Sequence, residues 1–207
     1  KGYQVEPGKE APPADVAEKV REVLAPEALR VLDKKGDPVV DIWLRRSVPT
    51  VEGKKELGVK FGQLQEGTLL GIIRFLKKSS DFKGNDFPAG VFTMRSSLQP
   101  IDGDHQGVSE TRDFVLLSPV KVDTAADPMS TKEAIKLSVQ VSGIKHPTVL
   151  WLMKVTEEGA KLPRMVEDET LALWLLDCEI PAAAKEGAKA NAPIRLGLVL
   201  VGKAAEQ

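Results

Sequence analysis

The sequence predicts a mainly β domain, an antiparallel β-sandwich or jelly-roll-like fold carrying two short helices. Three observations predict it. Apolar residues alternate, or run together, in strand-sized segments; Gly, Pro and Asp turn signals separate those segments; and only two stretches carry helix-capping signals. Strands and helices do not alternate in order, which argues against a doubly wound nucleotide-binding fold. At 207 residues and 42% hydrophobic content, one core is expected. Burial at about 25 cal/mol per Å² of apolar surface makes a disulfide or structural metal unnecessary at this size. The expected organisation is an extended lead-in over residues 1–13, one β-sandwich domain over 14–203 and a tail over 204–207.

Residues 1–13 contain Pro7, Gly8, Pro12 and Pro13 and show neither structural period, hence the lead-in. Asp15 followed by Glu18 forms a capping-box pattern, and Val16, Val20, Val23 and Leu24 share a face. A short amphipathic helix ending at Pro26 follows. Segments 29–33 and 39–45 flank the turn Lys34-Lys35-Gly36-Asp37-Pro38 and read as a hairpin. Alternation puts Val40, Ile42 and Leu44 on one side, with Asp41, Trp43 and Arg45 on the other.

Further strands are expected over 57–61 and 67–76. Leu69, Leu70, Ile72 and Ile73 are apolar on both faces, as in a central strand. Pro88-Ala89-Gly90 is a turn launching strand 91–98, in which Phe92, Met94 and Leu98 face the core and Thr93, Arg95 and Ser97 form a polar side. Strand 111–119 returns beside it. Ser130 and Glu133 form a second capping box and predict a helix from 131 to about 141, ended by Gly143. Ile135, Leu137, Val139 and Val141 also alternate, so a strand is the competing reading there. Runs 148–155, 170–180 and 194–201 complete the strands, and the Ala/Lys-rich 181–192 stretch reads as a solvated hairpin loop.

Lys plus Arg number 29 against 30 Asp plus Glu, a net charge of −1. No long-range field attracts nucleic acid or an anionic membrane. The single cysteine, Cys178, excludes an internal disulfide and a multi-thiolate zinc site. Its neighbours Leu175, Leu176 and Ile180 predict an inert buried thiol. No apolar run approaches the roughly 20 residues of a membrane-spanning helix. The polar, Pro/Gly-rich start at Lys1 reads either as a chain exported after signal removal or as a trimmed chain, and export is the expectation.

Chemistry is concentrated in the acidic loop Ile101-Asp102-Gly103-Asp104-His105-Gln106-Gly107. Asp102, Asp104, Gln106 and Asp113 fall at oxygen-ligand positions of a calcium loop, glycine stands at the bend, and the Val108 carbonyl can add a ligand. The competing reading is a tight turn in which Asp102-Gly103 supplies local hydrogen bonds and Asp113 pairs with Arg112 or Arg95. His105 is a candidate ligand-binding residue or general base, with Glu110 or Asp104 to orient its ring. His146, before Pro147, marks a turn. Trp151 and Trp174 lie in apolar runs and are expected in the core, whereas Trp43, beside Asp41 and Arg45, is the candidate sugar-stacking residue. The carboxylate clusters Glu157-Glu158 and Glu167-Asp168-Glu169 read as solubilising.

The series Arg30-Val31-Leu32-Asp33, Asp41-Ile42-Trp43-Leu44-Arg45, Pro88-Ala89-Gly90-Val91-Phe92-Thr93-Met94-Arg95 and Leu98-Gln99-Pro100-x-Asp102-Gly103-Asp104-His105 resembles a group of exported bacterial β-sandwich proteins whose domain has no assigned function. The resemblance implies export and the β fold. It implies no activity. The expected function is a noncatalytic exported binding or structural module whose partner is a protein, a surface polymer or a small ligand. Two alternatives stand beside it: a calcium-dependent carbohydrate-binding domain using Trp43 and the Asp102 loop, and a hydrolase built on a loop His/carboxylate pair.

Overall fold

Strand-forming segments dominate the computed structural model, which describes residues 2–53, 55–102, 105, 109–183 and 191–204. In chain order the strands are β1 Gln4–Gly8, β2 Ala28–Leu32, β3 Pro38–Leu44, β4 Leu69–Phe75, β5 Ser79–Ser80, β6 Asp86–Phe87, β7 Gly90–Leu98, β8 Asp113–Pro119, β9 Val149–Lys154, β10 Arg164–Asp168, β11 Leu173–Ala182 and β12 Asn191–Val201. The helices are α1 Glu18–Arg21 and α2 Thr131–Ser138. The expected mainly β, antiparallel architecture with two short helices is present.

Ten strands form one antiparallel sheet in the order β1-β2-β3-β4-β7-β8-β9-β12-β11-β10, and β5-β6 make a separate small hairpin. The sheet curls until its edge strands β1 and β10 approach each other. Tyr3 packs on Trp174 near this seam with ring centroids 5.2 Å apart. Curling gives the sheet an inner and an outer face. Ile42, Ile73, Met94, Leu117, Leu152 and Leu198 enter one inner core from six different strands. The ladders are long nearly everywhere in the sheet except around β9. It pairs with β8 only through Phe114–Trp151, Val115–Leu150 and Leu116–Val149, and with β12 only through Leu196–Lys154, Gly197–Met153 and Leu198–Leu152.

Two apolar layers cover parts of the outer face. Val16, Val20 and Leu24 pack with Trp43, Leu69 and Ile72. Phe82 and Ala134 of α2 pack with Phe114, Leu116 and Trp151. The predicted facing of the hairpin therefore holds: Val40 and Ile42 look inward, and Trp43 looks outward into the first layer.

Several boundaries differ from expectation for physical reasons. Residues 4–8 form a paired strand, not merely a lead-in; an edge strand needs hydrogen-bond donors on one side only, which accommodates Pro7. α1 spans a single turn from Glu18, with Ala17 at its N-cap and no side-chain cap, so the Asp15 capping box is not used. Residues 57–61 are not a strand: Leu57 is 92% exposed, and the Lys60 and Phe61 amides are satisfied by a carboxylate rather than by a ladder. β10 occupies the charged segment read as loop, its acidic and basic residues suiting a sheet edge. At α2 the helical reading holds, with the Ser130 hydroxyl accepting the Glu133 amide at 3.3 Å. The helix stops at Ser138, earlier than expected.

The side of β7 read as polar is itself covered. Arg95 is 0% exposed. Its guanidinium has five N–H donors, and the acceptors match them: Nε and Nη2 donate to the two Asp123 oxygens at 2.7 and 2.8 Å, Nη2 also to the Ala125 carbonyl at 2.5 Å, and Nη1 to the Gly67 and Asp127 carbonyls at 2.7 and 3.0 Å. The Thr93 hydroxyl donates to Asp123 at 2.5 Å. Segment 123–127 is thereby pinned over β7, and three residues later the chain enters α2 through Ser130. A buried ion pair thus sets where that helix can lie.

Candidate functional site

Where α2 crosses the outer face, it leaves a cleft of about 270 Å³ against β7, β8 and β9. Strand alternation supplies its floor, with Phe114 and Leu116 from β8 and Val149 from β9; Ile135 and Thr131 of α2 form one wall, and Leu98 of β7 closes an end. Three basic side chains, Lys83, His105 and His146, stand around this apolar surface. The protein has only two histidines. Both line the cleft.

Lys83 is placed by the β5–β6 turn. Asp81, 1% exposed, accepts the amides of Lys83 at 3.0 Å and Asn85 at 2.8 Å, and its other oxygen accepts the Val149 amide at 3.4 Å. This carboxylate ties the turn to β9. Burial pushes its pKa up, while the amides of Asn85 and Val149 pull it down.

His146 has a determined protonation pattern. Its Nδ1 lies 2.7 Å from the Pro147 carbonyl, which can only accept, so Nδ1 carries the proton. Its Nε2 lies 3.2 Å from Lys83 Nζ, and an ammonium can only donate, so Nε2 offers its lone pair. The imidazole is neutral. Burial, with the charge of Lys83 added, holds its pKa below the ordinary histidine value, against the Pro147 carbonyl and Asp81, which favour the proton. Across the cleft, His105 Nδ1 is 2.5 Å from Asp102 Oδ1.

A broader, open basin of about 990 Å³ adjoins the cleft. Leu98 and Thr131 border both. Its wall includes Glu52, Glu56 and Glu66, of which Glu56 pairs with Arg112 and Glu66 accepts the Leu98 amide at 3.0 Å.

Of the candidate calcium ligands, Asp113 is engaged away from the acidic loop. Asp113 is 4% exposed, and its two oxygens accept the Lys60 amide at 2.7 Å and the Phe61 amide at 3.1 Å. It anchors the segment before β4 instead of serving the acidic loop. Nor does it pair with an arginine: Arg112 engages Glu56 and the Gln99 carbonyl, while Arg95 engages Asp123. Asp104, Gln106 and Val108 lie outside the described residues, as do residues 184–190 of the Ala/Lys-rich stretch. Among the described residues, no group of three or more His, Cys, Asp or Glu side chains is placed to hold a metal ion.

Trp43 is no stacking platform. It is 0% exposed, its indole N–H donates to the Glu10 carbonyl at 2.9 Å, and the Arg74 guanidinium lies 5.3 Å from its ring centroid. Around it, Asp41 bridges Arg30 and Arg74, and both arginines reach Glu10. This network straps the N-terminal segment over the ring. Trp151 fills the outer core as expected, whereas Trp174 is half-buried beside Tyr3 and Lys34. Cys178 is buried, and burial pushes its thiol up to about 12.

Of the residues singled out in the sequence, Asp102 and His105 meet. Lys83, Asp81 and Ile135 were not foreseen as site residues, and His146 turns out to line the cleft as well as precede a turn. The one available signal for them was the turn Asp81-x-Lys83-Gly84-Asn85, whose first residue is a common turn acceptor. No protein-family model matches the chain, and no curated protein or solved structure is detectably similar to it.

Proposed function

We propose that the domain is a noncatalytic binding module that takes a small, largely apolar ligand between α2 and the outer face of β7–β9. The observation carrying this reading is the cleft itself: an apolar floor of Phe114, Leu116 and Val149, walled by Ile135, with a few polar groups such as Lys83 and His146 in its lining. Sites for small molecules have this composition, a mostly apolar lining with a few placed polar groups. Its 270 Å³, at about 30 Å³ per water-sized group, holds roughly nine non-hydrogen atoms.

Titration with the neutral solvatochromic dye Nile red tests the reading. The parent is expected to take up the dye with a blue shift, and Ile135→Asp to weaken uptake at least about tenfold, some 1.4 kcal/mol. Ile135 is 37% exposed, so this variant is expected to melt near the parent. Absence of uptake by the parent rejects the proposal, as does unchanged uptake by the variant.

A second reading is favoured by one observation, the Asp102–His105 contact at the cleft edge. A carboxylate orienting an imidazole is the arrangement of a general base, worth about 10²–10⁴ in rate. Hydrolysis of p-nitrophenyl butyrate by the parent, falling at least a hundredfold in His105→Ala, would establish a hydrolase. Equal rates in both proteins exclude it.

A further inference from the structure

We propose that the cleft selects monoanionic amphiphiles, with the ligand's carboxylate held by Lys83 Nζ and its apolar body lying along Phe114, Leu116 and Ile135. This rests on the cleft being a ligand site and adds the chemical class of its occupant.

The charge balance around Lys83 carries the argument. Among the described residues Lys83 makes no ion pair. Asp81, two residues before it, turns its oxygens to the amides of Lys83, Asn85 and Val149. Asp102, next to the cleft through its contact with His105, engages that histidine. Lys83 Nζ instead spends one N–H on a neutral partner, His146 Nε2, at 3.2 Å. That contact fixes the ammonium at the apolar edge and leaves two of its three donors for a ligand.

His146 therefore acts as a positioning residue. It holds the cation in place without cancelling its charge, and the Pro147 carbonyl holds the ring in turn. A carboxylate at this point makes charge-assisted hydrogen bonds beside an apolar wall, where they count for more than in open water. An alcohol head gains no charge interaction. An ammonium head meets a like charge.

The volume of the cleft sets the tail. Room for roughly nine non-hydrogen atoms, the carboxylate at Lys83 included, describes a medium-chain fatty acid or an aryl-alkanoic acid.

The test is displacement of bound Nile red at pH 7.5 by octanoate, 1-octanol and octylamine, using the full chain. Octanoate is expected to displace the dye at about tenfold lower concentration than octanol, with octylamine weakest. In Lys83→Gln the advantage of octanoate over octanol, compared within the same variant, disappears; Lys83 is exposed, so the fold is expected to persist. Octanoate no better than octanol in the parent, or an undiminished advantage in Lys83→Gln, overturns the anion selectivity while leaving the apolar site standing. Failure of the dye and of octanol to bind at all overturns both.

Discussion

Asparagine at position 113 separates a structural carboxylate from a metal ligand. Asp113 receives two backbone amides, Lys60 at 2.7 Å and Phe61 at 3.1 Å, in a buried setting. Hydrogen bonds to a charged acceptor contribute about 1.5–3 kcal/mol each, so the pair contributes roughly 3–6 kcal/mol before the cost of burying the charge. That cost is real, because burial raises the Asp113 pKa despite both amides. The Asp113→Asn side chain keeps one acceptor and turns an NH₂ toward the second amide, leaving a buried donor unsatisfied. A net loss of about 3 kcal/mol is expected, or roughly 6–12 °C in a chain of this size. Urea and thermal unfolding should show the loss equally with EDTA and with millimolar calcium. A variant as stable as the parent without metal, but no longer stabilised by calcium, would refute the structural assignment.

Asp123→Ala strands the fully buried Arg95 guanidinium and is expected to cost about 3–5 kcal/mol in urea unfolding; a loss below 1 kcal/mol would show that the pair is dispensable. The lowered pKa of His146 means that the unfolded chain takes up this proton before the folded one does. Its contribution to stability is therefore complete above about pH 6.5 and is lost as pH falls from there toward the lower folded value. The fall should shrink in His146→Gln, and an identical pH profile would contradict the neutral-imidazole geometry. Cys178, with a thiol near 12, exposes a thiolate fraction of about 10⁻⁵ at pH 7. It should resist iodoacetamide in the native protein and react on denaturation; rapid native labelling would show that the site opens.

Strands were legible in the sequence where one face differs sharply from the other. Val40 and Ile42 alternate with Asp41 and Trp43, and the hairpin followed directly. The same alternation misled at β7, because Arg95 reads as solvent-facing, whereas its five acceptors come mostly from backbone carbonyls far along the chain that no local pattern shows. Residues 4–8 and 164–168 become strands through a neighbouring edge rather than their own periodicity. At the site, the sequence pointed to Glu110 or Asp104 as the residue orienting His105, whereas Asp102, three residues away, meets its ring. Lys83 and His146 are 63 positions apart, and only the docking of the β5–β6 turn against β9 brings them together. Asp113 has an acidic side chain at the right spacing for a cation, yet burial offers it two amides first.

The short ladders of β9 bear on this cleft. Val149 lies in its floor, and the Val149 amide also donates to Asp81 of the turn that carries Lys83. The two shortest ladders of the ten-stranded sheet thus flank the strand that a ligand would touch. Transient parting of a β-sheet begins where cross-strand bonds are fewest and solvent is close. An occupant of the cleft would act there as a clasp, joining α2, β8 and β9 from outside, so that ligand occupancy and the breathing of the sheet are two readings of one equilibrium.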